Sequence, residues 1–161
     1  MNNQETARAW FTGSKESGKS SNGNLNFSGS VLRSYSTPIA VKVTNNATGG
    51  VLTLYTSERY SITTSGKHMP AMHRASNYKG FEVPGDVLKR LAGDCNALTE
   101  MRFNEHLWKA INAHYAEKSR EAGEKASRAR SDRMKTLHEN TAIKAVRVLS
   151  ELREIFGRAC A

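Results

Sequence analysis

The chain has 161 residues, of which 38% are hydrophobic, with a formal net charge of +9 and an isoelectric point near 9.8. That length and apolar share fit one modest core, as a single domain or a small domain with an extended appendage. The positive balance favours a polyanionic partner, nucleic acid before an anionic surface, and no apolar run nears the length of a transmembrane helix, so no membrane partner is expected.

Residues 1–24 are rich in Ser, Gly, Asn and Lys and read as a disordered, solvated tail with one short sticky segment, Ala7 to Phe11. MNNQETARAWF has no apolar signal-peptide core, so a cytoplasmic location is expected. The tail contains Gly13-Ser-Lys-Glu-Ser-Gly18-Lys19-Ser20, a formal G-x-x-x-x-G-K-[ST] match. Phosphate-loop chemistry needs a strand before that loop and a helix after it, and neither flank has that pattern, so the match reads as a decoy.

From Leu25 the composition becomes strand-like. Leu25, Phe27, Val31 and Tyr35 alternate with polar residues over one strand, with Gly29 as a bulge. Ile39, Val41 and Val43 define a second strand, Val51 to Thr56 a third and Tyr60-Ser61-Ile62-Thr63 a fourth. Short connections make an antiparallel meander the economical topology, and a helix must then cover its apolar face. Phe27, Tyr35, Tyr55 and Tyr60 read as core aromatics, with base stacking as the rarer use of such a set.

Three segments occur in order: Phe27-Ser-Gly29, then Tyr35-Ser-Thr37-Pro38-Ile39-Ala40, then Tyr60-Ser61-Ile62-Thr63-Thr64-Ser65 with Lys67-His68. This series resembles a small bacteriophage-encoded domain of unknown function with F-x-G, Y-x-TPIA and YS-x-TTS-KH segments. The resemblance covers about residues 25–75 and implies a phage origin, hence a host-cell cytoplasm, but no activity. Gly66 departs from the pattern by separating Ser65 from Lys67.

The stretch Tyr60 to Arg74 joins hydroxyls, a glycine, two histidines and two strong cations. Exposed N–H groups, Lys67, His68 and Arg74 suit a phosphate, while the simpler reading has Ser65 capping a helix that starts near Lys67. In such a helix Lys67, Ala71 and Arg74 share a face, and Pro70 is acceptable only in its first turn. A metal-independent nuclease with His68 as base and Lys67 as electrostatic stabiliser is a third-ranked possibility, because no second acid–base group is placed by the sequence.

Val83 to Gly93 reads as a short helix with Val87, Leu88 and Leu91 covering the sheet. Leu98, Met101, Trp108, Ile111 and Tyr115 mark the apolar face of a longer one. Residues 116–135 form a basic helix whose densest part, Arg128, Arg130, Arg133 and Lys135, holds four cations against Asp132. A last amphipathic helix starts at Asn140 or Thr141, and Val146, Leu149, Leu152 and Phe156 form its oligomer interface. The five histidines lack metal-ligand spacing, as do Cys95 and Cys160, which read as free thiols; no metal or cofactor is expected.

The sequence therefore predicts an α+β protein: a tail at 1–24, a β-rich domain at 25–80 and a helical region at 81–161. The expected function is non-catalytic nucleic-acid binding through Lys67, His68, Arg74 and the basic helix, as a homo-oligomer. The alternative is an interaction protein that binds a host protein.

Overall fold

The computed structural model describes residues 1–44, 51–77, 80–93 and 105–156. It is an α+β protein, a β-sheet followed by a helical region, and it divides into two units, Met1–Arg102 and Phe103–Ala161. The boundary differs from the expected one because residues 81–93 add a strand and a helix to the sheet unit. Cys95, Cys160, Leu98 and Met101 lie outside the described residues, as do the side chains of Trp108, Leu152 and Phe156.

The first 24 residues are not a solvated tail. Helix α1 (Asn3–Thr12) opens with a capping box: Asn2 Oδ1 accepts from the Glu5 N–H, and Glu5 Oε2 accepts from the Asn2 N–H, both at 2.8 Å. Gly13, at φ +68°, ends it in the left-handed conformation favoured by glycine. Ala7 and Trp10 are fully buried, and Trp10 Nε1–H donates to the Ser30 carbonyl at 3.0 Å. Lys42 Nζ donates to the Trp10 carbonyl and lies over its ring, 5.8 Å from the centroid. The polar composition that resembles disorder belongs to the turns around strand β1 (Ser17–Lys19), whereas burial rests on one indole.

The expected strand 25–35 is a hairpin of β2 (Leu25–Ser28) and β3 (Val31–Ser34). Gly29, at φ +55°, makes the turn possible. The reversal inverts the alternation, so Phe27 pairs with Leu32 while Val31 pairs with Ser28 on the opposite face. Strands β4 (Thr37–Thr44) and β5 (Val51–Thr56) extend the sheet, giving a meander of five antiparallel strands. Strand β6 (Phe81–Val83) then lies parallel to β5 at the edge.

A parallel pair needs a crossover, and a helix supplies it. The expected strand Tyr60 to Thr63 is absent: after Ser61 the chain is continuously helical over 62–75, with a π-turn at Thr64–His68 leading into α2 (Met69–Ala75). The alternating apolar residues there are too few to outweigh the topological demand for a helix. Ser61 Oγ accepts from the Thr64 N–H at 3.4 Å, so Ser61 rather than Ser65 marks the start; Ser65 Oγ donates back to the Tyr60 carbonyl at 3.3 Å.

One core cluster joins α1 and α2 to the sheet: Ala7, Trp10, Leu25, Phe27, Leu32, Ile39, Ala40, Ala71 and Met72. Val31, Val41 and Leu54 are buried outside that cluster, and helix α3 (Gly85–Gly93), with Val87, Leu88 and Leu91 buried, packs on β4 and β5.

In the second unit, α4 (Glu105–Arg128) and α5 (Asp132–Phe156) pack as a helical hairpin. The expected single basic helix is broken at 129–131, and Asn140 and Thr141 lie inside α5 rather than at its start. Ser131 supplies the local break, its Oγ accepting from the Met134 N–H at 3.4 Å. Ala122, Ala126 and Ala145 are buried between the helices, with Ile111 and Tyr115 adding larger apolar groups.

Replacing Trp10 with Ala removes a fully buried indole and its hydrogen bond. The expected loss is about 3–5 kcal/mol, read as a lower urea midpoint in equilibrium unfolding. A midpoint equal to wild type would mean that residues 1–24 contribute nothing to the core.

Candidate nucleic-acid interface

The start of the crossover helix is tied to the sheet by hydroxyls. Ser34, at the end of β3, is bonded through Oγ to Thr64 Oγ1 at 2.8 Å and to His68 Nδ1 at 2.7 Å, and Thr64 Oγ1 meets Ser61 Oγ at 3.2 Å. Ser34, Thr64 and His68 are buried, while Ser61 is exposed. Ser34 has one proton and two lone pairs, so it donates to at most one of these neighbours. If it donates to Nδ1, His68 Nε2 carries hydrogen; if it accepts from Nδ1–H, Nε2 is bare. Either way Nε2 is buried with no hydrogen-bond partner among the described residues.

His68 is 0% exposed, so in this conformation it offers no direct contact to a phosphate, and its assignment as a nucleic-acid contact is corrected. Its pKa is lowered by burial and, secondarily, by the charge of Lys67. Lys67 and Arg74 are both exposed, but Ala71 is 2% exposed and belongs to the core side, so the three do not form one cationic face.

The other sequence-predicted cations converge at the bend of the α4–α5 hairpin. Arg128 closes α4, Arg130 lies in the connection, and Arg133 and Lys135 are in the first turn of α5; all four belong to this exposed bend. Arg128 reaches Glu124 only at 4.0 Å, and no salt bridge engages Arg130, Arg133 or Lys135 among the described residues. Further back, Arg120 is held between Glu117 and Glu124, and Lys125 pairs with Glu121 at 3.4 Å. Acids thus neutralise the body of α4 and leave the bend cationic.

On α5, Val146 is 56% exposed and Ile143 65% exposed, whereas Leu149 is half-buried against the hairpin. Ile143 and Val146 border a groove of about 400 Å³ with Ser119, Ala142 and Arg147. Of the predicted interface residues whose side chains are described, Val146 is uncovered, next to the exposed Ile143, which was not among them.

The formal phosphate loop follows a helix and enters strand β1, the reverse of the order its chemistry requires. Ser20 of that match is buried and bonds Asn22 Oδ1 at 2.7 Å. Among the described residues no group of three His, Cys, Asp or Glu is placed to hold a metal ion, and no helix is long and apolar enough to cross a membrane.

Sequence reasoning missed Ser34 and Thr64 as partners of His68. It read Tyr35 as a core aromatic on a strand, whereas the residue is half exposed at φ +56° in the turn between β3 and β4, its ring centroid 6.0 Å from that of His68. Nothing in a single sequence pairs residues 34 positions apart, but the tight turn before Thr37-Pro38 is a usable local signal.

The lowered pKa of His68 sets the sign of a pH effect. The unfolded chain takes up a proton near pH 6.5, while the buried imidazole resists it, so stability is fully present above that pH and is lost as pH falls towards the folded pKa. His73 contributes in the same direction: burial lowers its pKa, partly opposed by Glu82. Urea midpoints should therefore fall between about pH 7.5 and about pH 5, with a shallower fall in His68→Asn, whose amide retains a polar atom near Nδ1. Equal slopes in the two proteins would remove His68 from the effect.

No family model, curated protein or solved structure matches this chain. The functional reading accordingly rests on the buried hydroxyl–imidazole network and on the exposed cations of each unit.

Proposed function

We propose that this chain is a non-catalytic, phage-type nucleic-acid-binding accessory protein acting in the host cytoplasm. The observation that carries the reading is the α4–α5 bend, where Arg128, Arg130, Arg133 and Lys135 fall within eight residues and only Asp132 opposes them. Arg130, Arg133 and Lys135, which have no salt bridge among the described residues, keep their full attraction for phosphate, and each contact releases condensed counterions. Lys67 and Arg74 add exposed cations in the sheet unit, whereas His68 serves the fold behind them.

A second reading, an interaction protein that binds and modulates a host protein, is favoured by the uncovered apolar residues Ile143 and Val146. We assign those residues first to a second copy of the chain, since an amphipathic terminal helix with an open apolar side is suited to homo-oligomers.

Fluorescence anisotropy with a labelled oligonucleotide across a salt series tests the first reading. Arg130→Ala with Arg133→Ala should lower the magnitude of the salt slope by about 2, and Lys67→Ala with Arg74→Ala should do the same at the other surface. Unchanged affinity and slope in both double variants would sink the phosphate-contact reading.

Light scattering tests assembly. Because Val146 is exposed in the single chain, Val146→Asp should reduce the solution mass from oligomer to monomer with little change in thermal midpoint. An oligomer that persists in this variant would place the interface elsewhere.

A further inference from the structure

We infer that Tyr35 is a stacking platform for an unpaired base, so that the nucleic acid bound by the sheet unit is single-stranded. This deepens the nucleic-acid reading and rests on it. Among the described residues Tyr35 is the only exposed aromatic, at 49%. Phe27 is in the core, Tyr55 packs edge-on against His73 at 4.7 Å, and the Tyr60 hydroxyl is engaged by Glu58 at 2.7 Å.

The placement of Tyr35 is costly and firmly held. At φ +56° a bulky side chain adopts a conformation that glycine or asparagine fills with less strain. Both backbone groups are clamped: its N–H donates to the Asn24 carbonyl at 2.6 Å, and its carbonyl accepts from Asn26 Nδ2 at 2.8 Å. A strained residue persists when its surroundings over-determine it, and such positions concentrate at ligand sites. Packing does not explain the aromatic here, since half the residue faces solvent.

Three further features surround it. The His68 ring lies 6.0 Å from that of Tyr35, centroid to centroid, and, being buried, gives the tyrosine a fixed support. Lys67, the residue before His68, is exposed and supplies a cation for the neighbouring phosphate. Ile62, 91% exposed, lies two residues before Thr64, whose hydroxyl bonds Ser34 beside Tyr35. An aromatic face, an adjacent cation and an apolar contact are the elements of single-strand recognition, where the bases are free to stack.

The test compares a fluorescein-labelled oligothymidylate with a labelled duplex of equal length, both titrated with the full chain. Tyr35→Asn removes the ring but suits the left-handed backbone, so its thermal midpoint should equal or exceed that of wild type. Its affinity for oligothymidylate should fall roughly ten- to a hundredfold, with the salt slope and duplex binding unchanged. Tyr35→Phe should bind as wild type does. Equal binding of both probes by wild type, with neither altered by Tyr35→Asn, would overturn stacking while leaving the cation reading intact. Binding of neither probe would overturn both.

Discussion

The Ser34 hydroxyl is the contact on which the sheet unit's functional surface depends. It sits at the end of a strand yet bonds two residues of the crossover helix, Thr64 and His68. Those bonds fix the rotation of the helix about its axis, and rotation decides which side chains are buried: Ala71 and Met72 enter the core beside Leu25 and Leu32, while Lys67 and Arg74 remain in solvent. A buried hydroxyl–imidazole network is stringent because any slip leaves polar atoms unpaired in a low-dielectric interior. One atom, His68 Nε2, is already left so among the described residues. The network thus specifies position more than it adds net stability, since each neutral hydrogen bond contributes only about 1 kcal/mol.

The charge of the chain is organised by what neutralises it. Along α4, Arg120 and Lys125 face acids three or four residues away, and such exposed, solvent-screened pairs add little to stability. Their larger effect is subtractive, because they cancel charge along the helix body. At the bend the acids run out. Arg128 sits at the end of α4, where the macrodipole tolerates a cation, and the following turn carries Arg130. Arg133 and Lys135, by contrast, lie in the first turn of α5, where the macrodipole disfavours cations and Asp132 is the acid that offsets them.

How much of this was legible in the sequence depended on whether the deciding interaction was local. The strands over 37–44 and 51–56 carry alternating apolar residues, and the helix 85–93 carries Val87, Leu88 and Leu91 before Gly93. These were readable because period and termini lie within one window. Residues 1–24 were not, since composition averages Trp10 with its many polar neighbours and hides a side chain that buries completely. Leu25 to Tyr35 carried the correct strand signal but the wrong element, because Gly29 serves a turn and a bulge would leave the same pattern. Tyr60 to Thr63 failed for a nonlocal reason: β6, later in the chain, pairs parallel to β5 and forces a helix between them. Of the candidate site, Lys67, Arg74 and the bend cations were visible as residue types, but exposure, burial of His68 and the presentation of Tyr35 were set by contacts remote in sequence.

The π-turn links the sequence pattern to that geometry. Gly66 lies within Thr64–His68, where the Met69 N–H bonds the Thr64 carbonyl five residues back. A helix absorbs one additional residue as such a widened turn, which preserves the phase of the turns beyond it. Phase matters here because Thr64 at the start of the turn and His68 at its end must both meet Ser34. The same widening precedes Pro70, which has no N–H and whose ring crowds the carbonyl four residues earlier, that of Gly66 itself. An added Cβ at Gly66 would meet nothing within 4 Å, so no close approach demands glycine at this position. The widened turn thus accommodates the proline, and it keeps His68 buried beside Tyr35 while leaving Lys67 in solvent.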